Sequence, residues 1–186
     1  MVSSLLHRFV QAVFTFVVSG LLVSCSASKS TSILYGDDYD IRKDTTTVTI
    51  FPYGAVRIPG KWTKTHENDV SQEHFFKGPD SATFAVALNP WDQFEFSNDE
   101  LTTETFVQAF YEWDAAYLKE QTRGQVAIVK QDKARNFIIW KLTKPSKAID
   151  YFLFGLKGKI AYNLYVESTA WDEVRKVELL EKIYAE

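Results

Sequence analysis

The chain of 186 residues holds a single cysteine, Cys25, so no disulfide, cysteine zinc site or dithiol redox pair can form within it. Histidine is nearly as scarce. Once His7 is set aside with the amino-terminal segment, only His66 and His74 remain, fewer than the three or four His, Cys or carboxylate ligands that a zinc site takes. Neither sign of charge dominates: 21 Lys and Arg stand against 24 Asp and Glu, which lacks the basic footprint of a nucleic-acid binder. There is no G-x-S-x-G elbow and no P-loop. No apolar run reaches the roughly twenty residues of a membrane-spanning helix.

The longest such run, Phe9 to Val23, is about fifteen residues and is interrupted by Gln11, Thr15, Ser19 and Gly20. With Arg8 before it and small residues after it, the run has the layout of a secretory signal. Leu22-Val23-Ser24-Cys25 closes it and resembles the lipobox of bacterial lipoproteins, in which the cysteine sulfur receives diacylglycerol and the peptide is cut just before it. Residues 1–24 are therefore expected to be a lipoprotein signal peptide and Cys25 the lipidated first residue of the mature protein. An ordinary cleaved signal and an uncleaved anchor are the competing readings. Two acyl chains hold a protein on a bilayer where one does so only marginally, so the partner implied is a lipid surface. Ser26-Ala27-Ser28 lacks the acidic residue that retains some lipoproteins at the inner membrane, which favours the outer membrane and a periplasm-facing domain.

Removing the signal leaves about 160 residues, enough for one compact domain. Residues 25–44 read as lipidated cysteine and tether, because SASKSTSIL is small and polar and YGDDYDIRKD is charged and turn-rich. Residues 45–186 read as the domain. TTTVTIF and AVRIPGKW favour extended chain, followed by strands at EHFFKG and ATFAVALNP. In the last of these, Phe84, Val86 and Leu88 alternate with Thr83, Ala85 and Ala87, a strand covered on both sides.

TTETFVQAFYEWDAAYLKEQTRG predicts a helix capped by Thr102 or Thr103 and stopped at Gly124, with Phe106, Phe110, Trp113 and Tyr117 on one face as core or, alternatively, as the lining of a groove. Four strand-like runs follow, GQVAIVKQ, NFIIWKLT, DYFLFGLK and KIAYNLYVE, and WDEVRKVELLEKIYAE predicts a closing helix. Short turns make the strands antiparallel. The expected fold is α+β, a mostly antiparallel sheet of about six or seven strands sandwiched between helices.

This order, opened by Pro59-Gly60-Lys61-Trp62 within VRIPGKW, resembles the PsbP-like α/β/α sandwich, the fold of an extrinsic photosystem II subunit and of small bacterial envelope lipoproteins. The resemblance spans roughly Val56 to Tyr184 and implies a binding or assembly factor. It carries no catalytic residues over, since that family supplies no catalytic motif to match.

The residues themselves point the same way. The carboxylate pairs Asp37/Asp38, Asp92/Glu95, Asp99/Glu100 and Glu112/Asp114 have ordinary explanations, with Glu112 and Asp114 expected on the wet face of the helix. No catalytic residue, metal ligand or cofactor is assigned. The loop NPWDQFEFSNDE interleaves Trp91, Phe94 and Phe96 with Asp92 and Glu95, a composition suited either to recognition of a protein partner or to covering the sheet edge. The functional expectation is a membrane-anchored, non-enzymatic binding or assembly module. The alternatives are a periplasmic hydrolase whose site is assembled only in space and a toxin-immunity binder.

Overall fold

A computed structural model describes residues 34–98 and 100–186; Cys25 and the expected signal segment lie outside the described residues, as does Asp99. Strands β1 (Leu34–Asp40), β2 (Thr45–Phe51) and β3 (Gly54–Pro59) form a three-stranded antiparallel sheet in chain order. Within the stretch read as tether, the described residues 34–44 hold β1 and the turn after it. Its side chains are mostly exposed, so nothing selects apolar residues there, and its place is set by backbone pairing of Tyr35 with Ile50 and Asp37 with Val48.

The chain then enters a seven-stranded antiparallel sheet made of β4 (Thr63–Asn68), β5 (Glu73–Lys77), β6 (Thr83–Pro90), β7 (Gln125–Asp132), β8 (Phe137–Thr143), β9 (Ile149–Lys157) and β10 (Ile160–Glu167). Its spatial order is β4-β5-β6-β10-β9-β8-β7, so β10 returns at the end of a four-strand meander to pair with β6. Both edge strands carry a register shift, between Lys64 and His66 and between Ile128 and Lys130. Irregular, polar edges of this kind discourage further strand addition.

Pro59-Gly60-Lys61-Trp62 joins the two sheets. Trp62 donates its indole N–H to the Pro59 carbonyl at 2.8 Å and its backbone N–H to Thr46 Oγ1 at 2.9 Å, while Thr46 Oγ1 donates to the Gly60 carbonyl at 2.8 Å. The Trp62 ring is buried edge-on against Phe84 and Trp171. The motif is a structural corner.

Because the strands are two-sided, the large sheet has an apolar layer on each face. One face presents Phe84, Val86, Leu88, Phe137, Ile139, Leu153 and Leu164 to the small sheet and to helix α2 (Glu173–Ala185). The other presents Ile138, Trp140, Leu142, Phe152, Phe154 and Leu156 to helix α1 (Thr103–Thr122). The architecture is the expected α+β sandwich, with the small sheet as an addition to the α2 layer.

Helix α1 begins as its sequence predicts: Thr102 Oγ1 accepts from the Thr105 N–H, and Thr105 Oγ1 accepts from the Thr102 N–H. Its end differs. The left-handed residue is Arg123, at φ 55°, and Gly124 is required for space, since a Cβ there would lie 2.6 Å from Leu142. Gly155 has the same origin: an added Cβ would fall 2.4 Å from the Tyr184 ring, whose hydroxyl is tied to the carbonyls of Arg135, Asn136 and Leu156.

Candidate functional site

The loop aromatics fold back on α1. Trp91 lies 5.9 Å from Phe106, Phe94 lies 4.6 Å from Phe110, and Phe96 lies 5.4 Å from Phe106 and 5.7 Å from Trp113. All three rings are half-buried, whereas Asp92 and Glu95 are exposed. Glu95 is anchored as well, accepting from the Trp113 indole N–H at 2.6 Å. Phe94 and Phe96 therefore share a cluster with Trp113, with Trp91 toward its Phe106 side.

The aromatic stripe of α1 is split. Phe106 and Phe110 are buried, but Trp113 is 41% exposed and Tyr117 is 57% exposed, against the expectation that the whole stripe is core. Phe110 stacks on Phe154 of β9 at 4.1 Å, and Tyr111 sets its edge against Trp140 of β8. The sheet-facing side of the helix runs through Val107, Phe110, Asp114 and Leu118, and Trp113 and Tyr117 form the margin on the β9 side.

Asp114 thus corrects a second expectation, since it is largely withdrawn from water. Burial, the larger cause, and the charge of Glu73 push its carboxyl up from 3.8 to about 7. Glu73, on β5, is raised by burial too, partly offset by hydrogen bonds from Ser71 Oγ at 2.8 Å and Asn163 Nδ2 at 3.2 Å. Having spent its amide N–H on Glu73, Asn163 leaves a buried Oδ1 with no donor. No ion pair reaches Glu73 or Asp114 among the described residues, whereas Asp150 on the same face is compensated by Lys144 at 2.6 Å. Tyr165 donates to Asp150 at 3.3 Å, and burial followed by that charge holds its phenol well above the usual range.

Register places these groups. Asn163 is opposite Ala87 on β6 and Phe154 on β9, and Tyr165 is opposite Ala85, which is itself opposite Phe75 on β5. Fully buried Ala85 and Ala87 thus make a low strip along β6, flanked by Glu73 and Phe75 on one side and Asn163 and Tyr165 on the other. Asp114 was legible only as an a/d-type position with Val107, Tyr111 and Leu118. Glu73 shows only as the face-mate of Phe75, and nothing in sequence pairs either with Asn163.

His66 and His74 do not converge. His66 stacks on Phe75 at 4.4 Å, whereas His74 lies on the opposite face, stacked on Tyr35 at 4.3 Å with its Nδ1 3.4 Å from Glu67. A cavity of about 120 Å³ opens beside His74, lined also by Tyr35, Glu67, Asn68, Asp69 and Gln72. Burial, then the nearby Lys64 charge, lowers the His74 affinity for a proton.

No family model matches the chain, and no curated protein matches it. Among solved structures, the chain is similar to the solution structure of cyanobacterial PsbP (CyanoP) from Synechocystis sp. PCC 6803. The match has 10% identity and a TM-score of 0.49, over 88% of this chain and 96% of that one.

Proposed function

We propose that the chain is a lipoprotein of the bacterial cell envelope with a PsbP-like fold, acting as a non-enzymatic binding or assembly module for a protein partner. In this reading a diacylglycerol thioether on Cys25 holds it to the membrane, facing the periplasm and on the outer rather than the inner membrane. The anchor is supported by the Leu22-Val23-Ser24-Cys25 sequence. Among the described residues no helix is long and apolar enough to cross a membrane.

The observation that carries the binding role is the pair Trp113 and Tyr117, two large aromatics left open on a helix whose other side is locked into the core. Glu95 and Asp92 give this surface an acidic rim. Aromatic rings on a rigid element lose little freedom on contact and dominate interface energetics. The surface is therefore centred on α1, with the 91–96 loop as its support.

Trp113→Ala combined with Tyr117→Ala is expected to abolish co-purification of the partner from native envelopes while the thermal midpoint moves by only a few degrees. Undiminished recovery would remove the surface from consideration. Mass spectrometry of the native product is expected to show a lipid-modified amino-terminal Cys25, and a free thiol would refute the anchor.

A further inference from the structure

Exposed apolar side chains gather at one end of the sandwich. Leu34 is 64% exposed, Phe51 58% and Val70 96%. Leu34 and Phe51 are register partners on the outer face of the small sheet, where β1 begins and β2 ends. The turn after Phe51 leads to Gly54, on which a Cβ would lie 3.8 Å from Leu88, near the end of β6. Val70 is in the turn between β4 and β5; because His74 is opposite Val86, that turn projects past Ala87 toward the same end of β6. Tyr35 and Asp69 line one cavity, which sets the start of β1 beside this turn.

The other groups at this end suit a boundary between water and hydrocarbon. Strand β6 runs into Trp91, whose backbone N–H donates to the Lys159 carbonyl at 3.0 Å, and Lys159 Nζ stands 5.8 Å from the Trp91 ring centroid. Lys157 opens the same turn, its Nζ 5.0 Å from the Tyr162 ring centroid. Tryptophan settles at the headgroup level of membranes, and lysine lays its stem on apolar surface while its ammonium stays in water. Exposed Asp69 and Asp92 offset the two lysines, so what this end offers a bilayer is apolar contact rather than net positive charge.

The chain also enters the domain here. Leu34 is nine residues after Cys25, and nine residues extend at most about 30 Å at about 3.3–3.6 Å each. Ile41, 80% exposed, follows β1 at the opposite end. A lipid on Cys25 therefore keeps Leu34, Phe51 and Val70 on the membrane side and Ile41 away from it.

Resting on the lipid anchor proposed above, we propose that this end of the domain docks directly on the bilayer, with Leu34, Phe51 and Val70 entering the boundary between headgroups and acyl chains and Trp91, Lys157 and Lys159 at headgroup level. The anchor supplies one contact and the domain a second, and two linked contacts orient the domain as well as hold it. Helix α1 starts at this same end, where Lys133 of the β7–β8 turn pairs with Glu104. Trp113 stands about 15 Å along that helix at about 1.5 Å per residue, so the surface offered to a protein partner remains in water.

The test uses the native, lipidated chain in phosphatidylcholine vesicles, with and without brominated acyl chains, which quench indole fluorescence on contact. Tryptophan is introduced by Phe51→Trp, by Val70→Trp and, at the opposite end, by Ile41→Trp, all at exposed positions. The emission that Phe51→Trp or Val70→Trp adds to that of wild type is expected to shift to the blue and to be lost in the brominated vesicles. The emission added by Ile41→Trp should be unchanged. Val70→Trp, at the most exposed of the three positions, carries the test should Phe51→Trp disturb the fold.

Quenching at neither Phe51→Trp nor Val70→Trp would overturn the proposal, as would equal quenching of Ile41→Trp. Mass spectrometry and flotation of the same samples separate it from the anchor. Unquenched tryptophans on a lipid-modified chain that floats with the vesicles remove the docking and leave the anchor standing, whereas a free Cys25 thiol removes both.

Discussion

Asp114→Asn should make the protein more stable, and by an amount that depends on pH. The carboxyl sits on the sheet-facing side of α1, where burial and the neighbouring Glu73 charge carry it from 3.8 to about 7. The Glu73 charge adds to burial in opposing the ionisation of Asp114. Between those two values the folded chain holds a proton that the unfolded chain has released, so stability falls as pH rises through this window. At about 1.4 kcal/mol per tenfold change in proton affinity, the full span corresponds to ~4 kcal/mol, and access of water to the site brings the expected cost at pH 8 to about 2–4 kcal/mol.

Asparagine has nearly the shape of the protonated acid and no charge to desolvate. Urea unfolding of wild type and variant should therefore give nearly equal stabilities at pH 4. The variant should gain progressively as pH rises above that, by about 2–4 kcal/mol in all, levelling off past pH 7. The comparison isolates one group, because carboxylates held low by cationic partners, such as Glu67 with Lys64 and Glu173 with Lys141, contribute in the opposite sense to both proteins alike. Glu73→Gln should shift the Asp114 titration down without restoring it to the ordinary range, since burial is the larger cause. A difference independent of pH, or a variant less stable at pH 8, would refute this reasoning.

Gly155→Ala should destabilise the fold by about 3 kcal/mol, the upper end for overpacking, because the new methyl meets a Tyr184 ring that three carbonyls hold in place; a change in urea midpoint worth under 1 kcal/mol would contradict the contact. His74 should titrate below 6.5 by NMR, so that its contribution is intact above that value and is lost as pH falls through it toward the folded midpoint; a midpoint at or above 6.5 would mean that Glu67 outweighs burial and Lys64.

The central sheet was legible because its strands are apolar on both faces. Phe84, Val86 and Leu88 alternating with Ala85 and Ala87 fix β6 as an inner strand, and Lys157-Gly158-Lys159 marks the turn into β10. The polar strands were not legible. Thr63–Asn68 and Leu34–Asp40 are largely exposed and are held by backbone hydrogen bonding, so no hydrophobic period announces them. Division into two sheets was also hidden, since it depends on the Thr46 and Trp62 hydrogen bonds around Gly60, a long-range contact that no local pattern encodes.

The candidate site failed to show for a related reason. The stripe Phe106, Phe110, Trp113 and Tyr117 is contiguous on a helical wheel, but the wheel does not say how far the 91–96 loop reaches. That loop covers the first two positions and touches Trp113 only through Phe94, Phe96 and Glu95. Asp114 was read as wet because it adjoins Glu112 in sequence, although the two point about 160° apart around the helix at 3.6 residues per turn.

A carboxylate whose replacement by its neutral isostere stabilises the fold is poorly explained by folding alone, since such a change is a single step and folding gains from it at neutral pH. The position of Asp114 makes the point sharper. It lies near a second buried carboxylate, Glu73, which has no cationic partner among the described residues; Asn163, which donates to Glu73, keeps an amide oxygen without a donor, and Trp113 and Tyr117 on the same helix are partly exposed. Each is a local departure from good packing or pairing, and departures that cluster mark where a fold has been bent to a task. Asp114→Asn should therefore raise stability and weaken recovery of the native partner together, and a variant that did the first without the second would leave the buried charge with no use that the binding role explains.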